Sequence, residues 1–191
     1  MIVQQSRLTG LFSSNSAGFN GMPVAAPWFM HEMLGNHLFL LKDYKAALSH
    51  YETTLREGNS STEVSKRALI CYVHARRVSE AIPLFERLIR DDLASIVKHN
   101  QEQYGCPCPE IIEEYERSIA NGEPSQNDRI ALGMLWLFCD RLRSEQLFAQ
   151  ALHGDPGSAF LRSVMSILEG QSSPSPSESH HTTDKETHDA H

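Results

Sequence analysis

The sequence predicts an all-α protein built from antiparallel pairs of helices, and three features support this fold class. Between residues 28 and 170, apolar residues recur at steps of three and four, as they do along one side of an α-helix. Residues that favour helix starts and ends divide this pattern into short segments. Several positions also repeat at one fixed interval, as Ala47 and Ala81 do. Together these features predict helical hairpins that pack one after another.

The first predicted hairpin covers residues 28–61. Its apolar spacing breaks at Lys42-Asp43, resumes at Tyr44 and stops at Gly58-Asn59. A glycine directly after the last apolar position is typical of a helix C-terminus. The segment therefore predicts two helices with a short turn between them.

The second predicted hairpin covers residues 62–95, with Ser61 or Thr62 as the N-cap and a break near Arg76-Arg77. The fixed interval pairs the two hairpins position by position: Leu38 with Tyr72, Tyr44 with Val78, Ala47 with Ala81, Tyr51 with Phe85, and Leu55 with Ile89. A small residue followed one turn later by an aromatic one suits a close crossing of two helices. The interval predicts the same packing in both hairpins.

These residues resemble the tetratricopeptide repeat (TPR) family, whose units are about 34 residues long. The first unit contains Leu34-Gly35, and the second has Ala68-Leu69 at that point. A later unit, residues 126–157, contains Leu132-Gly133-x-x-Trp136 followed by Phe148, with a turn one residue shorter. The resemblance implies a right-handed α-solenoid that ends in a closing helix within 157–170.

A repeat array needs at least about three units to bury a continuous core, so residues 94–123 are expected to supply another one. This segment holds two helix-like stretches, LASIVKHNQEQY and EIIEEYERSIANG, joined by YGCPCPE. Gly105 suits the end of a helix, Pro107 prevents its continuation, and Pro109 suits the first position of the next helix. The join is therefore interpreted as a stop-and-start signal between helices.

The two ends differ from this helical domain. Residues 1–27 are rich in Ser, Gly and Asn and are expected to be loosely ordered. Residues 171–191 are rich in Ser, Pro and His and contain one apolar residue, Ala190. Such a composition cannot bury enough apolar surface to offset the entropy cost of ordering, so a disordered tail is predicted.

Composition disfavours several classes of function. A formal net charge of −7 lacks the basic character of a nucleic-acid-binding protein. No apolar run reaches the roughly 20 residues of a membrane-spanning helix, and the N-terminus lacks the pattern of a secretory signal. Cys71 and Cys139 fall in apolar helical patterns typical of buried reduced thiols. We therefore expect a cytoplasmic protein with neither nucleic acid nor membrane as a partner.

The sequence contains no catalytic signature, so neither an enzyme nor a cofactor is predicted. The histidines of the helical part are interpreted as single, partly exposed side chains. The TPR resemblance implies a noncatalytic adaptor or scaffold whose concave groove binds a protein or peptide. The residues that would line the groove are Phe29, Glu32, Asn36, Phe39, Glu63, Lys66, Ile70 and Val73.

Two alternatives remain open. In the first, the protein is a thiol-based sensor or a metal or haem binder that uses Cys106 and Cys108, with His99 as a further candidate metal ligand. Cys108 would lie near a helix N-terminus, where the helix dipole lowers the pKa of a thiol, although structural zinc usually needs four ligands. In the second, the array is one subunit of a larger complex and contributes an exposed helical end.

Overall fold

The computed structural model describes residues 27–58, 60–97, 108–120 and 122–170. All regular secondary structure within these ranges is α-helical. The helices are numbered here in chain order: α1 Pro27–Leu40, α2 Tyr44–Arg56, α3 Thr62–His74, α4 Val78–Val97, α5 Cys108–Ile119, α6 Gln126–Trp136, α7 Arg141–Gly154 and α8 Ala159–Gly170. The predicted all-α class is confirmed.

Side-chain caps fix where four of these helices begin. Asp43, Ser61, Ser125 and Asp140 each accept a hydrogen bond from the backbone amide three residues further on. At α6 the cap is reciprocal, because the carboxylate of Asp128 also accepts from the amide of Ser125, at 2.9 Å. Each cap satisfies an amide that has no partner inside its helix, so local sequence sets these boundaries.

The turns after α1 and α3 have the same structure. Lys42 and Arg76, at equivalent positions of the two hairpins, both have a positive φ, of 63° and 59°. The same three backbone bonds occur in each turn: Leu41, Lys42 and Asp43 donate to His37, Phe39 and Leu38, and Ala75, Arg76 and Arg77 donate to Cys71, Val73 and Tyr72. The repeat predicted from sequence therefore extends to individual backbone bonds at these turns.

A small side chain lies at the equivalent point of the second helix of three pairs. Ala47 on α2, Ala81 on α4 and Ser144 on α7 are all fully buried. Ser144 was not singled out by the sequence reasoning, and its hydroxyl donates to the carbonyl of Gly133 at 2.7 Å. That hydrogen bond satisfies a hydroxyl where the other two pairs have a methyl group.

An aromatic ring one turn later packs against the first helix of each pair. Tyr51 lies so close to Gly35 that a Cβ added to Gly35 would be 2.8 Å from the ring. A Cβ added to Gly133 would likewise be 3.0 Å from the ring of Phe148. In the middle pair, the aromatic residue is Phe85, and Leu69 stands where the other two pairs have glycine. Both Phe85 and Leu69 are fully buried. Glycine at the first and third positions thus allows the closest approach of helix and ring.

Helix α4 is kinked at Asp92, whose backbone is not helical (φ −157°, ψ 61°). The side chain of Asp92 accepts from the amide of Ser95 at 3.1 Å and caps the short continuation. Residues 93–97, predicted to start the first helix of another hairpin, form a separate helical segment after the break at Asp92 and are numbered here with α4. The remainder of that predicted helix lies outside the described residues.

Helix α5 packs against α3 and α6 and also contacts both repeated turns. Glu110 pairs with Lys42 at 2.6 Å, and the ring of Tyr115 lies 3.4 Å below the guanidinium of Arg76. The hydroxyl of Tyr115 donates to Asp128 on α6 at 3.1 Å. The helix begins at Cys108, one residue before the predicted Pro109.

The last three helices return to α4. Helix α6 pairs with α7, α7 packs on α8, and both α6 and α8 contact α4. Phe85, Phe148 and Phe160, from α4, α7 and α8, form an aromatic cluster with ring centroids 5.6 to 6.5 Å apart. The predicted closing helix is present as α8 and covers the buried side of α7 and α4.

Candidate protein-binding surface

The outward side of α1 is apolar along its whole described length. Six side chains of α1 and the residue after it are between 41% and 67% exposed, and together they are called the α1 face: Phe29, Met30, Met33, Leu34, Leu40 and Leu41. Because successive helical residues are rotated by about 100°, these positions fall within an arc of roughly 140°. His37 lies in the same arc, which contains no Asp, Glu, Lys or Arg. Contiguous exposed apolar patches of this kind mark interaction sites.

The opposite side of α1 explains why this face points outward. Gly35 and Phe39 are buried against α2, with Tyr51 beside Gly35 and the rings of Tyr44 and Tyr51 at 5.4 and 6.4 Å from Phe39. These tight contacts fix the rotation of α1. The α1 face is therefore held in place by the packing behind it.

A polar network borders the α1 face where α1 meets α3. The side-chain oxygen of Asn36 accepts from the hydroxyl of Tyr51 at 3.0 Å and from the guanidinium of Arg67 at 2.9 Å. Arg67 also bonds Glu63 at 3.0 Å, and Glu32 lies half-buried on the same side of α1. Burial, only partly opposed by Arg67, raises the pKa of the Tyr51 hydroxyl far above its usual value, so it acts here as a neutral donor.

The residues predicted to line a groove divide into two sets. Phe29, Glu32, Asn36 and Glu63 reach the surface, as described above. The other four, Phe39, Lys66, Ile70 and Val73, are buried and cannot contact a partner in this conformation. The ammonium of Lys66 donates to the carbonyl of Ser95, in the part of α4 beyond the kink, at 3.1 Å. Helix α3 contacts α1, α2, α4, α5 and α6, which leaves it little free surface.

Sequence reasoning missed most of the α1 face because a helical pattern alone does not say which side is covered. Of its six residues only Phe29 was predicted to contact a partner. A signal was nevertheless present. Large apolar residues occur all around α1, and Glu32 carries its only carboxylate. A helix of that composition needs cover on more than one side.

The candidate thiol and metal ligands are not gathered into a site by the described residues. Cys108 is fully buried and in a disulfide, so it is not a free thiolate ligand here. Cys106 and His99 lie outside the described residues. Cys71 is buried, and burial raises the pKa of its thiol well above the usual value. Within the described ranges, no group of three or more His, Cys, Asp or Glu side chains could hold a metal ion.

Two histidines interpreted as single side chains form a pair. The Nδ1 atoms of His31 on α1 and His50 on α2 are 2.9 Å apart, with ring centroids at 5.2 Å. One imidazole donates to the other, which is possible when at least one ring is neutral. The pair lies behind the α1 face and ties α1 to α2.

Comparison with known proteins gave no match, either to a protein-family model or to a curated protein. Across the described helices, none has both the length and the apolar character needed to cross a bilayer. The α1 face is a feature of the described surface that calls for a binding partner on physical grounds, because it exposes six large apolar side chains together.

Proposed function

We propose that the protein is a noncatalytic adaptor, arranged as a TPR-like right-handed α-solenoid, that binds a protein segment on the α1 face. The observation that carries the proposal is the uncharged, apolar and outward-facing side of α1. The repeated turn bonds, the three small residues at the close crossings and the two glycines facing aromatic rings support the repeat architecture. A helix that presents an exposed apolar surface supports the adaptor role.

The preferred partner is an amphipathic helix or extended peptide with apolar side chains every three or four residues. Such a segment would cover the α1 face, and Met30 and Met33 suit varied partner shapes because methionine side chains are flexible and polarisable. Glu32 and Glu63 at the border favour a basic residue at the partner's edge. This partner differs from the groove ligand predicted from sequence, because half of that groove is buried.

A site-specific cross-linking experiment tests the proposal. A photoreactive amino acid in place of Met33 should capture a protein partner from native cell extract, whereas the same group in place of Leu142, 70% exposed on α7, should not. The charged variant Met33→Asp plus Leu40→Asp should remove the captured partner. The matched control, Val97→Asp plus Leu142→Asp, adds the same charges at other exposed apolar positions and should retain it. Identical partner sets for both charged variants would refute the proposal.

The same surface is compatible with a subunit of a larger complex. In that case the captured partner would be a stoichiometric component, and light scattering of the natively purified assembly would give a mass well above the 21.5 kDa of the chain. An adaptor with exchangeable partners would instead purify largely as the single chain.

A further inference from the structure

We propose that residues 1–22 of the same chain fold back over the α1 face and occupy the place of the partner. This inference rests on the proposed function and adds its regulation, since a tethered segment would compete with the partner for one surface. Residues 1–26 lead directly into α1, so the segment is attached at the Phe29 end of the face.

The composition of this segment matches an uncharged surface. Residues 1–26 contain no acidic residue and a single basic one, Arg7. Their large apolar side chains are Met1, Ile2, Val3, Leu8, Leu11, Phe12, Phe19, Met22 and Val24. By contrast, residues 171–191 carry one apolar residue, and residues 98–107 are mostly polar. Of the longer segments outside the described residues, the N-terminal one can cover the α1 face without burying charges.

The spacing of apolar residues also corresponds. Leu8, Leu11 and Phe12 stand at steps of three and one, a spacing that would place them on one side of a helical turn when the segment binds as a helix. Met30, Met33 and Leu34 have the same spacing on the α1 face. Two short helical surfaces with matching spacing can pack against each other along their length.

The tether is long enough and favours this occupant over a second copy. From Phe29 to Leu41 the face is about 18 Å long at the helical rise. Fourteen residues separate Phe12 from Pro27, and extended they would reach about 45 Å. A tethered segment has an effective concentration in the millimolar range.

The rate at which hydrogen peroxide oxidises Met30 and Met33 reports whether another segment covers these two side chains. In the full chain we expect Met30 and Met33 to form sulfoxide at least five-fold more slowly than in a chain that begins at Pro23. The full-length variant Leu8→Asp plus Phe12→Asp should behave like the truncated chain. The matched variant Ser6→Asp plus Ser13→Asp, with two charges at polar positions, should behave like the natural chain.

Buried Met134 serves as the internal reference for folding in all four chains. Equal oxidation of Met30 and Met33 in the natural chain and both disrupted chains would overturn the proposal.

A binding measurement identifies the occupant. A labelled peptide of residues 1–22 should bind the truncated chain and bind the full chain at least ten-fold more weakly. Met33→Asp in the truncated chain should abolish binding, and Leu142→Asp should preserve it. Failure of the peptide to bind the truncated chain would exclude the segment as occupant. Protection of Met30 and Met33 that rises with protein concentration would assign the face to a second copy and likewise overturn the proposal.

The outcomes also separate this inference from the proposed function. If the peptide does not bind but cross-linking at Met33 still captures a partner, the self-cover fails and the adaptor function stands. If the peptide binds but neither the full nor the truncated chain captures a partner at Met33, the adaptor function fails and the segment is a structural cover.

Discussion

Helices α1 and α3 are the first helices of two consecutive hairpins and occupy equivalent positions, but their surroundings are opposite. Helix α3 contacts five other helices and is buried on nearly all sides, whereas α1 packs on α2 and α3. Met30 is half exposed while its counterpart Val64 is 1% exposed. End units of repeat arrays normally carry a polar outer face. Helix α1 instead keeps the apolar composition of an internal helix, and this contrast is the basis of our proposal that another surface covers it.

The largest predicted effect tests this contrast between the two helices. Leu69→Ala on α3 should lower the free energy of unfolding by about 3 kcal/mol, because Leu69 is fully buried. In a chain that begins at Pro23, Leu40→Ala on α1, where the side chain is 67% exposed, should change it by less than about 0.5 kcal/mol. Urea denaturation followed by circular dichroism measures both.

The same pair of variants also sharpens the contrast. A loss above about 1 kcal/mol for Leu40→Ala in the full chain, but not in a chain that begins at Pro23, would mean that residues 1–22 bury Leu40. Equal large losses at Leu40 and Leu69 in both chains would show that α1 is an internal helix and break the comparison.

The second prediction concerns a buried position at which the two helices differ in side-chain size, with Gly35 on α1 and Leu69 on α3. Gly35→Ala would place a methyl group 2.8 Å from the buried ring of Tyr51. The clash of this methyl group with the ring should outweigh the higher helix propensity of alanine and lower the free energy of unfolding by about 2 kcal/mol. Gly133→Ala, at 3.0 Å from Phe148, should cost about 1 kcal/mol by the same reasoning.

Gly170→Ala is the control for this series, since an added Cβ there meets nothing within 4 Å. Thermal unfolding of the three variants should rank them in the order Gly35, Gly133, Gly170, with Gly35→Ala the least stable. A stabilised Gly35→Ala protein would mean that the ring of Tyr51 can shift and that the close crossing is not rigid.

Local signals made much of the helical framework predictable. The turns at Lys42-Asp43 and Arg76-Arg77, the N-cap at Ser61 and the closing helix follow from residues close together in sequence. Caps and turns depend on such neighbours, so a single sequence is enough to place them. The start of a new helix at Leu93 was likewise predicted, and the side chain of Asp92 sets it by accepting from the amide of Ser95.

The candidate site was less predictable, because it depends on which side of each helix the rest of the chain covers. Ile70 and Val73 were expected at a groove, yet the packing around α3 buries them. Met33 and Leu40 have the composition of core residues, yet no described element lies over them. Burial of a helix face is a property of long-range packing, which periodicity alone does not determine.

The third prediction uses buried titratable groups, which α3 has and the described part of α1 lacks. Burial raises the pKa of the Cys71 thiol, and burial together with the nearby Glu52 carboxylate raises the pKa of Tyr72 to about 12. The folded protein thus keeps protons that the unfolded chain releases near pH 9 for Cys and pH 10 for Tyr. Stability should be complete below pH 9 and then fall by about 1.4 kcal/mol per pH unit for each group.

Urea midpoints measured between pH 8 and pH 10 test this prediction. Cys71→Ala should flatten the decline between pH 9 and pH 10, whereas Cys139→Ala, at an exposed position, should leave it unchanged. An equal decline in the Cys71→Ala protein would mean that the thiol is accessible to water in the folded state and that α3 is less buried than described.

The smallest effects, of opposite sign, are expected where α1 and α3 end. Lys42 and Arg76 both have the positive φ that favours glycine. The ion pair between Lys42 and Glu110 is exposed and contributes little to stability. Lys42→Gly should therefore stabilise the protein by about 0.5 kcal/mol. Arg76 stacks on Tyr115 and pairs with Asp128 at 3.4 Å, so Arg76→Gly should destabilise it by about 1 kcal/mol despite the same backbone relief. Urea denaturation measures the change in the free energy of unfolding for both variants. An increase for both would mean that the contacts of Arg76 with α5 do not stabilise the end of α3.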